Sequence, residues 1–168
     1  MVTTPELYAS NRNFFNSLNR PVIAYLPDSK IHCYVDLETR TVDAPDFLSV
    51  NTDHVAETVY FTVNRYYEHT DLAETFCIIS YINANGKSHV YNVPFYDIWS
   101  APEPDTMIFP WCIDGHATEK AGEVKFVISF LKVDETGKVV YRLNTREAKS
   151  EILYGMPDNF NPEDYELD

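Results

Sequence analysis

The chain has 168 residues, 45% of them hydrophobic and 14% aromatic, enough for one domain whose core needs neither metal nor disulfides. Its 26 acidic residues against 13 basic ones give a formal net charge of −13, which argues against a sequence-independent grip on nucleic acid or on an anionic membrane, since both need clustered Lys and Arg. No apolar run approaches the ~20 residues that cross a bilayer as a helix, and Met1-Val2-Thr3-Thr4-Pro5 does not read as the charged start of a secretory signal.

In chain order, Thr4 to about Arg20 predicts a helix. Thr4 can cap it, Pro5 suits its first turn, and Leu7, Phe14, Phe15 and Leu18 recur on one face until Pro21 stops it. A helix this short is marginal alone, so its apolar stripe is expected to dock on the rest of the domain or on a neighbouring subunit. After a connector containing Pro27-Asp28 the period becomes two: Ile31, Cys33, Val35 and Leu37 alternate with His32, Tyr34 and Asp36, and Val59, Phe61 and Val63 alternate with Thr58, Thr62 and Asn64. Ala73–Ile82 is apolar on both faces, which places it centrally between neighbours. Asn83-Ala84-Asn85-Gly86 is a hairpin turn into residues 87–93. Thr106–Ile113 contains Pro110, which lacks the amide hydrogen a central ladder needs, so that strand is expected at an edge or bulged.

The plainest signal comes next. Val124, Phe126, Ile128 and Phe130 fall on one face opposite Glu123, Lys125 and Ser129; Asp134-Glu135-Thr136-Gly137 turns the chain; and Val139, Tyr141 and Leu143 resume the alternation. Glu151–Tyr154 is expected to add a last strand, while Pro157–Asp168 carries Asp158, Glu163, Asp164, Glu166 and Asp168 without a basic residue. Roughly eight to nine short strands with turn signals and no long interior helix point to an all-β, antiparallel β-sandwich, immunoglobulin-like or jelly-roll-like. The organisation expected is a helix and connector over 1–29, the sandwich over 30–155 and an acidic tail over 156–168, with Phe160 and Tyr165 as anchors if the tail meets a partner.

Few residues read as chemistry. The three cysteines, Cys33, Cys77 and Cys112, sit in apolar strand-like runs and read as buried thiols in a reducing compartment, with one bridge among them left open. Cys112 and His116 are spaced to share a metal, but structural zinc wants a second close pair, and none follows. Acidic pairs such as Asp71 with Glu74 and Asp134 with Glu135 read as solvated loop charge. No catalytic residue, metal or cofactor is expected. An exposed aromatic patch of Tyr66, Tyr67, Tyr96 and Trp99 is the one candidate binding surface outside the termini, suited to a protein interface or to sugar rings.

Phe61-Thr62-Val63-Asn64-Arg65-Tyr66-Tyr67, Asp71-Leu72-Ala73 and Ile82-Asn83-Ala84-Asn85-Gly86-Lys87 resemble a family of small structural proteins of tailed bacteriophages. The similarity continues through Val93-Pro94-Phe95-Tyr96-Asp97-Ile98, Phe109-Pro110-Trp111, Ala117-Thr118, Ala121-Gly122-Glu123-Val124 and Tyr141-Arg142-Leu143-Asn144-Thr145, covering about residues 55–155. It looks like the β-sandwich domain at the start of upper-baseplate and minor tail proteins and of related head-fibre or collar proteins. The resemblance implies a non-enzymatic virion component, assembled in the host bacterial cytoplasm in many copies or as a homo-oligomer, whose partners are other virion proteins. It carries no catalytic residues over to this chain. Baseplate relatives often continue into a coiled coil and a receptor-binding domain, and the short remainder here turns the expectation toward adaptor, decoration or collar roles. The rival expectation is a carbohydrate-binding module for a cell-surface glycan.

Overall fold

The computed structural model describes residues 32–99 and 105–155. These residues build two sheets and a small hairpin. The first sheet is five-stranded, in the order β2 (Thr41–Val42), β1 (His32–Asp36), β4 (Thr58–Asn64), β10 (Thr106–Cys112), β9 (Asp97–Trp99). The second is six-stranded, running β3 (Ser49–Val50), β13 (Ala148–Leu153), β11 (Gly122–Val133), β7 (Phe76–Ile82), β8 (Ser88–Asn92), with β12 (Val139–Asn144) also paired to β11. β5 (Tyr66–Tyr67) and β6 (Thr70–Asp71) form the separate hairpin.

The inward residues of both sheets meet in one core. β1 contributes Cys33 and Val35, β4 Val59, Phe61 and Val63, and β10 Met107, Phe109 and Trp111, against Cys77, Ile79 and Tyr81 of β7 and Val124, Phe126, Ile128 and Phe130 of β11. Aromatic rings join the layers. Trp111 lies 5.1 Å from Phe126 between ring centroids, Phe61 6.1 Å from Phe126, and Phe109 6.0 Å from Phe130 in an edge-on contact. The described residues are therefore all-β and sandwich-like, the inward faces of two sheets sharing one core.

The turns use the side chains their sequences supply. Asn83 Oδ1 accepts from the amides of Asn85 and Lys87, and Gly86 takes φ +78° to close the β7–β8 hairpin. Asp134 Oδ1 accepts from the amides of Thr136 and Lys138 and from the Thr136 hydroxyl, closing β11 onto β12. Both are Asx-type turns in which a short polar side chain replaces a backbone acceptor.

Four features depart from the expectations. Two pairings are parallel, β1 with β4 and β13 with β3, so the sheets are mixed rather than purely antiparallel. The connection over residues 37–57, which holds β2 and β3, is long enough for such a crossover. β7 is central in its sheet, yet only one of its faces is fully buried: Cys77, Ile79 and Tyr81 are inside while Ile82 is exposed. β10 is not the outermost strand, but β9 reaches only Thr106–Ile108, so among the described residues Pro110 lies where the strand has a single neighbour, a local edge. The last strand starts earlier than expected, at Ala148, and runs along β11 from Ala148 to Ile152. The expected N-terminal helix and acidic tail lie outside the described residues.

Candidate functional site

The expected docking residues Leu7, Phe14, Phe15, Leu18, Phe160 and Tyr165 lie outside the described residues. The aromatic quartet divides. Tyr66 is exposed on β5, and Tyr67 beside it is half-buried against the core. Tyr96 turns inward instead of joining a surface patch: its ring packs edge-on to Phe109 at 5.9 Å and its hydroxyl pairs with Thr75 Oγ1 at 3.1 Å. Burial of the ring and a partner for the hydroxyl both favour that position. Trp99 ends β9 in backbone register with Thr106.

Tyr66 and Tyr67 meet a third tyrosine instead. Tyr34 points outward from β1, 57% exposed, as the alternation with Cys33 and Val35 dictates. Together the three line an open groove of about 930 Å³ between the β1–β2 turn and the β5–β6 hairpin. Four carboxylates, Asp36, Glu38, Asp43 and Glu68, share that lining.

Two arginines hold the groove's rings from outside its lining. The Arg65 fork donates from Nε and Nη2 to the two oxygens of Asp71, each at 2.9 Å, while its guanidinium lies 5.2 Å from the Tyr66 ring centroid. That pairing lowers the Asp71 carboxyl from its ordinary value, the Arg65 hydrogen bond being the leading cause. Arg40 donates to the Asn144 carbonyl at 3.0 Å and to the Tyr67 hydroxyl at 3.1 Å, tying the β1–β2 turn to β12 and to β5.

A second surface is partly apolar, with Lys125 and Glu147 at its margin. On the outer face of the six-stranded sheet, register aligns Val90 of β8 with Ser80 of β7 and Val127 of β11. Val90 is 58% exposed and Ile82 43%, and a shallow depression of about 400 Å³ runs over them. Among the described residues β8 pairs only with β7, so this apolar row ends at an open strand edge.

The remaining candidates are absorbed by the fold. Cys33, Cys77 and Cys112 are buried and none is in a disulfide. Burial, reinforced by the Asp43 charge, pushes the Cys33 thiol up to about 12, and burial alone raises Cys77 well above its ordinary value. Cys112 and His116 diverge: Cys112 packs with Phe95, whereas the His116 ring stacks on His89 at 4.5 Å. Asp114 between them braces its loop, accepting from the Tyr81 hydroxyl and from the amides of His116 and Ala117.

No protein-family model and no curated protein sequence matches the chain. Among solved structures, the fold is similar to one described as the N-terminal domain of phage TP901-1 ORF48, at 11% identity and a TM-score of 0.43, over 74% of this chain and 98% of that one.

Proposed function

We propose that this protein is a non-enzymatic structural component of a tailed-bacteriophage virion, in the tail or baseplate, the collar or a head fibre, where its sandwich docks onto other virion proteins. One observation carries the reading: the residues on which the resemblance to phage structural proteins rests build the frame, and among the described residues the frame presents exposed Val90 and Ile82 beside an open strand edge. Phe61, Phe109 and Trp111 lie in the core, Arg65 and Asp71 lock the β5–β6 hairpin, and Asn83 and Gly86 close the β7–β8 turn. Those residue types are used for scaffold. A scaffold with an uncovered edge and exposed valine and isoleucine gains by burying them against a neighbour, through strand addition or face-to-face packing. The protein is then present in multiple copies in a symmetric assembly put together in the host bacterial cytoplasm, with the segments before residue 30 and after residue 155 as further docking surfaces.

The test combines cryo-electron microscopy of purified particles with incorporation of a Val90→Asp, Ile82→Asp variant. Both positions are exposed, so the isolated chain is expected to stay folded, with stability changed by about 0.5 kcal/mol or less at each. Loss of the variant from particles, with the wild-type sandwich found at a symmetric position in the map, supports the reading. A map without the sandwich, or normal incorporation of the variant, overturns it. The second reading, a carbohydrate-binding module, draws on the exposed rings of Tyr34 and Tyr66 rather than on the expected quartet, since Tyr96 faces the core.

A further inference from the structure

We infer that the tyrosine and carboxylate groove beside β1 is a docking site for a Lys- or Arg-bearing extended segment of a partner protein. The inference rests on the docking role proposed above and names the chemistry of one contact. Four carboxylates line the groove together with three tyrosines, and no Lys or Arg is among the lining residues. Among the described residues, Asp36, Glu38, Asp43 and Glu68 have no ion-pair partner. Among the described residues, the arginines beside the groove are already engaged: Arg65 is held by Asp71, and Arg40 by the Asn144 carbonyl and the Tyr67 hydroxyl. One face of each ring is already covered, Tyr66 by Arg65 at 5.2 Å, Tyr67 by Arg40 at 4.9 Å and Tyr34 by His32 at 5.3 Å. The groove therefore offers its carboxylates together with the opposite ring faces, the combination that a guanidinium or ammonium group satisfies with a charge-assisted hydrogen bond and a cation–π contact. A neutral sugar would stack on a ring and donate hydroxyls to the carboxylates but would gain no net Coulomb attraction, and an acidic glycan would be repelled; the excess of four carboxylates therefore favours a cationic ligand.

The walls are also set in advance of binding. Arg40 and Glu68 sit in the two turns that flank the groove, and each holds a left-handed backbone, φ 64° and 52°, that non-glycine residues adopt at a cost. Arg40 offsets that cost with the two side-chain bonds already named and with its carbonyl, which accepts from the Arg146 amide at 2.7 Å. The Leu72 amide, donating to the Arg65 carbonyl at 2.7 Å, closes the opposite hairpin. A groove whose two walls are braced to β12 and to a bidentate ion pair loses little freedom when a chain enters it.

The probe is an acetylated, amidated pentapeptide with arginines at alternate positions, titrated into the 15N-labelled full chain at about 50 mM salt and followed by amide chemical shifts. Shifts concentrated at Tyr34, Asp36, Asn64, Tyr66 and Glu68 are expected. The Tyr34→Ser, Tyr66→Ser variant should weaken binding by about five-fold or more, and the Asp36→Asn, Glu38→Gln variant should also weaken it. Raising salt several-fold should weaken binding again, because a charged contact this exposed is screened. A Glu135→Gln, Glu147→Gln variant, which removes the same charge elsewhere, should bind as wild type; unchanged amide positions outside the groove establish that each variant is folded. Shifts spread over all acidic surfaces would overturn the inference. So would shifts caused by a neutral N-acetylglucosamine oligomer in place of the peptide, or concentration-dependent shifts from a second copy of the chain. Absence of the protein from virions would overturn the docking role instead, and the peptide titration reads independently of that result.

Discussion

Replacement of Phe126 by Ala tests whether the two sheets are held by the aromatic contacts between them. Phe126 lies on β11 with 1% of its surface exposed, and its ring meets Trp111 of β10 and Phe61 of β4, both in the opposite sheet. Removing a fully buried phenylalanine costs about 3–5 kcal/mol through lost burial and the cavity left behind. The two ring contacts put this site toward the middle or top of that range, about 4 kcal/mol, of which each aromatic pair supplies roughly 0.5–1.5 kcal/mol. For a chain of this size each kcal/mol lowers Tm by about 2–4 °C, so a fall of about 8–16 °C is expected in calorimetry. Phe126→Leu keeps much of the volume and should lose roughly half as much or less. In a double-mutant cycle with Trp111→Leu, a coupling of about 0.5–1.5 kcal/mol should appear. A Phe126→Ala variant that melts within about 3 °C of wild type would refute the reasoning, because a core that loses so little there is not joined through that ring.

Three further predictions concern the thiols, the ion pair and a turn. With its thiol pushed up to about 12, Cys33 holds on the order of one thiolate in ten thousand at pH 8, so Ellman's reagent should react with it only after denaturant is added; fast labelling of Cys33 in the native protein would contradict its burial. Asp71 is lowered in the folded state by Arg65, so its stabilisation is complete above its ordinary carboxylate value and is lost as pH falls through the lower folded value. Asp71→Asn should therefore cost about 1 kcal/mol near neutral pH, a figure that allows for solvent screening of a partly exposed pair, and should flatten the acid limb of the stability curve below about pH 4; an unchanged limb would show that the pair contributes nothing. Gly86 has φ +78° and open space where a Cβ would go, so Gly86→Ala should cost about 1 kcal/mol from backbone strain alone, and Gly86→Asn less. Equal stability of all three proteins in urea denaturation would remove the left-handed turn from the account.

Elements whose signal is local are legible in the amino-acid order. The alternation in Cys33-Tyr34-Val35, in Val59–Asn64 and across β11 and β12 is enforced by the pleat, which sends neighbouring side chains to opposite faces wherever the strand ends up. The turns at Asn83–Gly86 and Asp134–Gly137 were legible for the same reason, because each closes through its own side chain and its own glycine. Short pieces such as β2, β3 and β9 were not, since two or three residues carry too little periodicity and exist only because a longer strand lies alongside. Which strands became neighbours was a tertiary decision: the parallel registers of β1 with β4 and β13 with β3 depend on competition among all possible pairings, which no local window contains. The groove shows both levels at once. Alternation alone put Tyr34 outside, and only the joining of β1 to β4 brought it to Tyr66, while the packing of β10 drew Tyr96 against Phe109 and out of the surface it was expected to share. Side-chain direction follows from the residue's place in its own strand, but a site is made of residues far apart in sequence, and their meeting is fixed by how the sheets close over a common core.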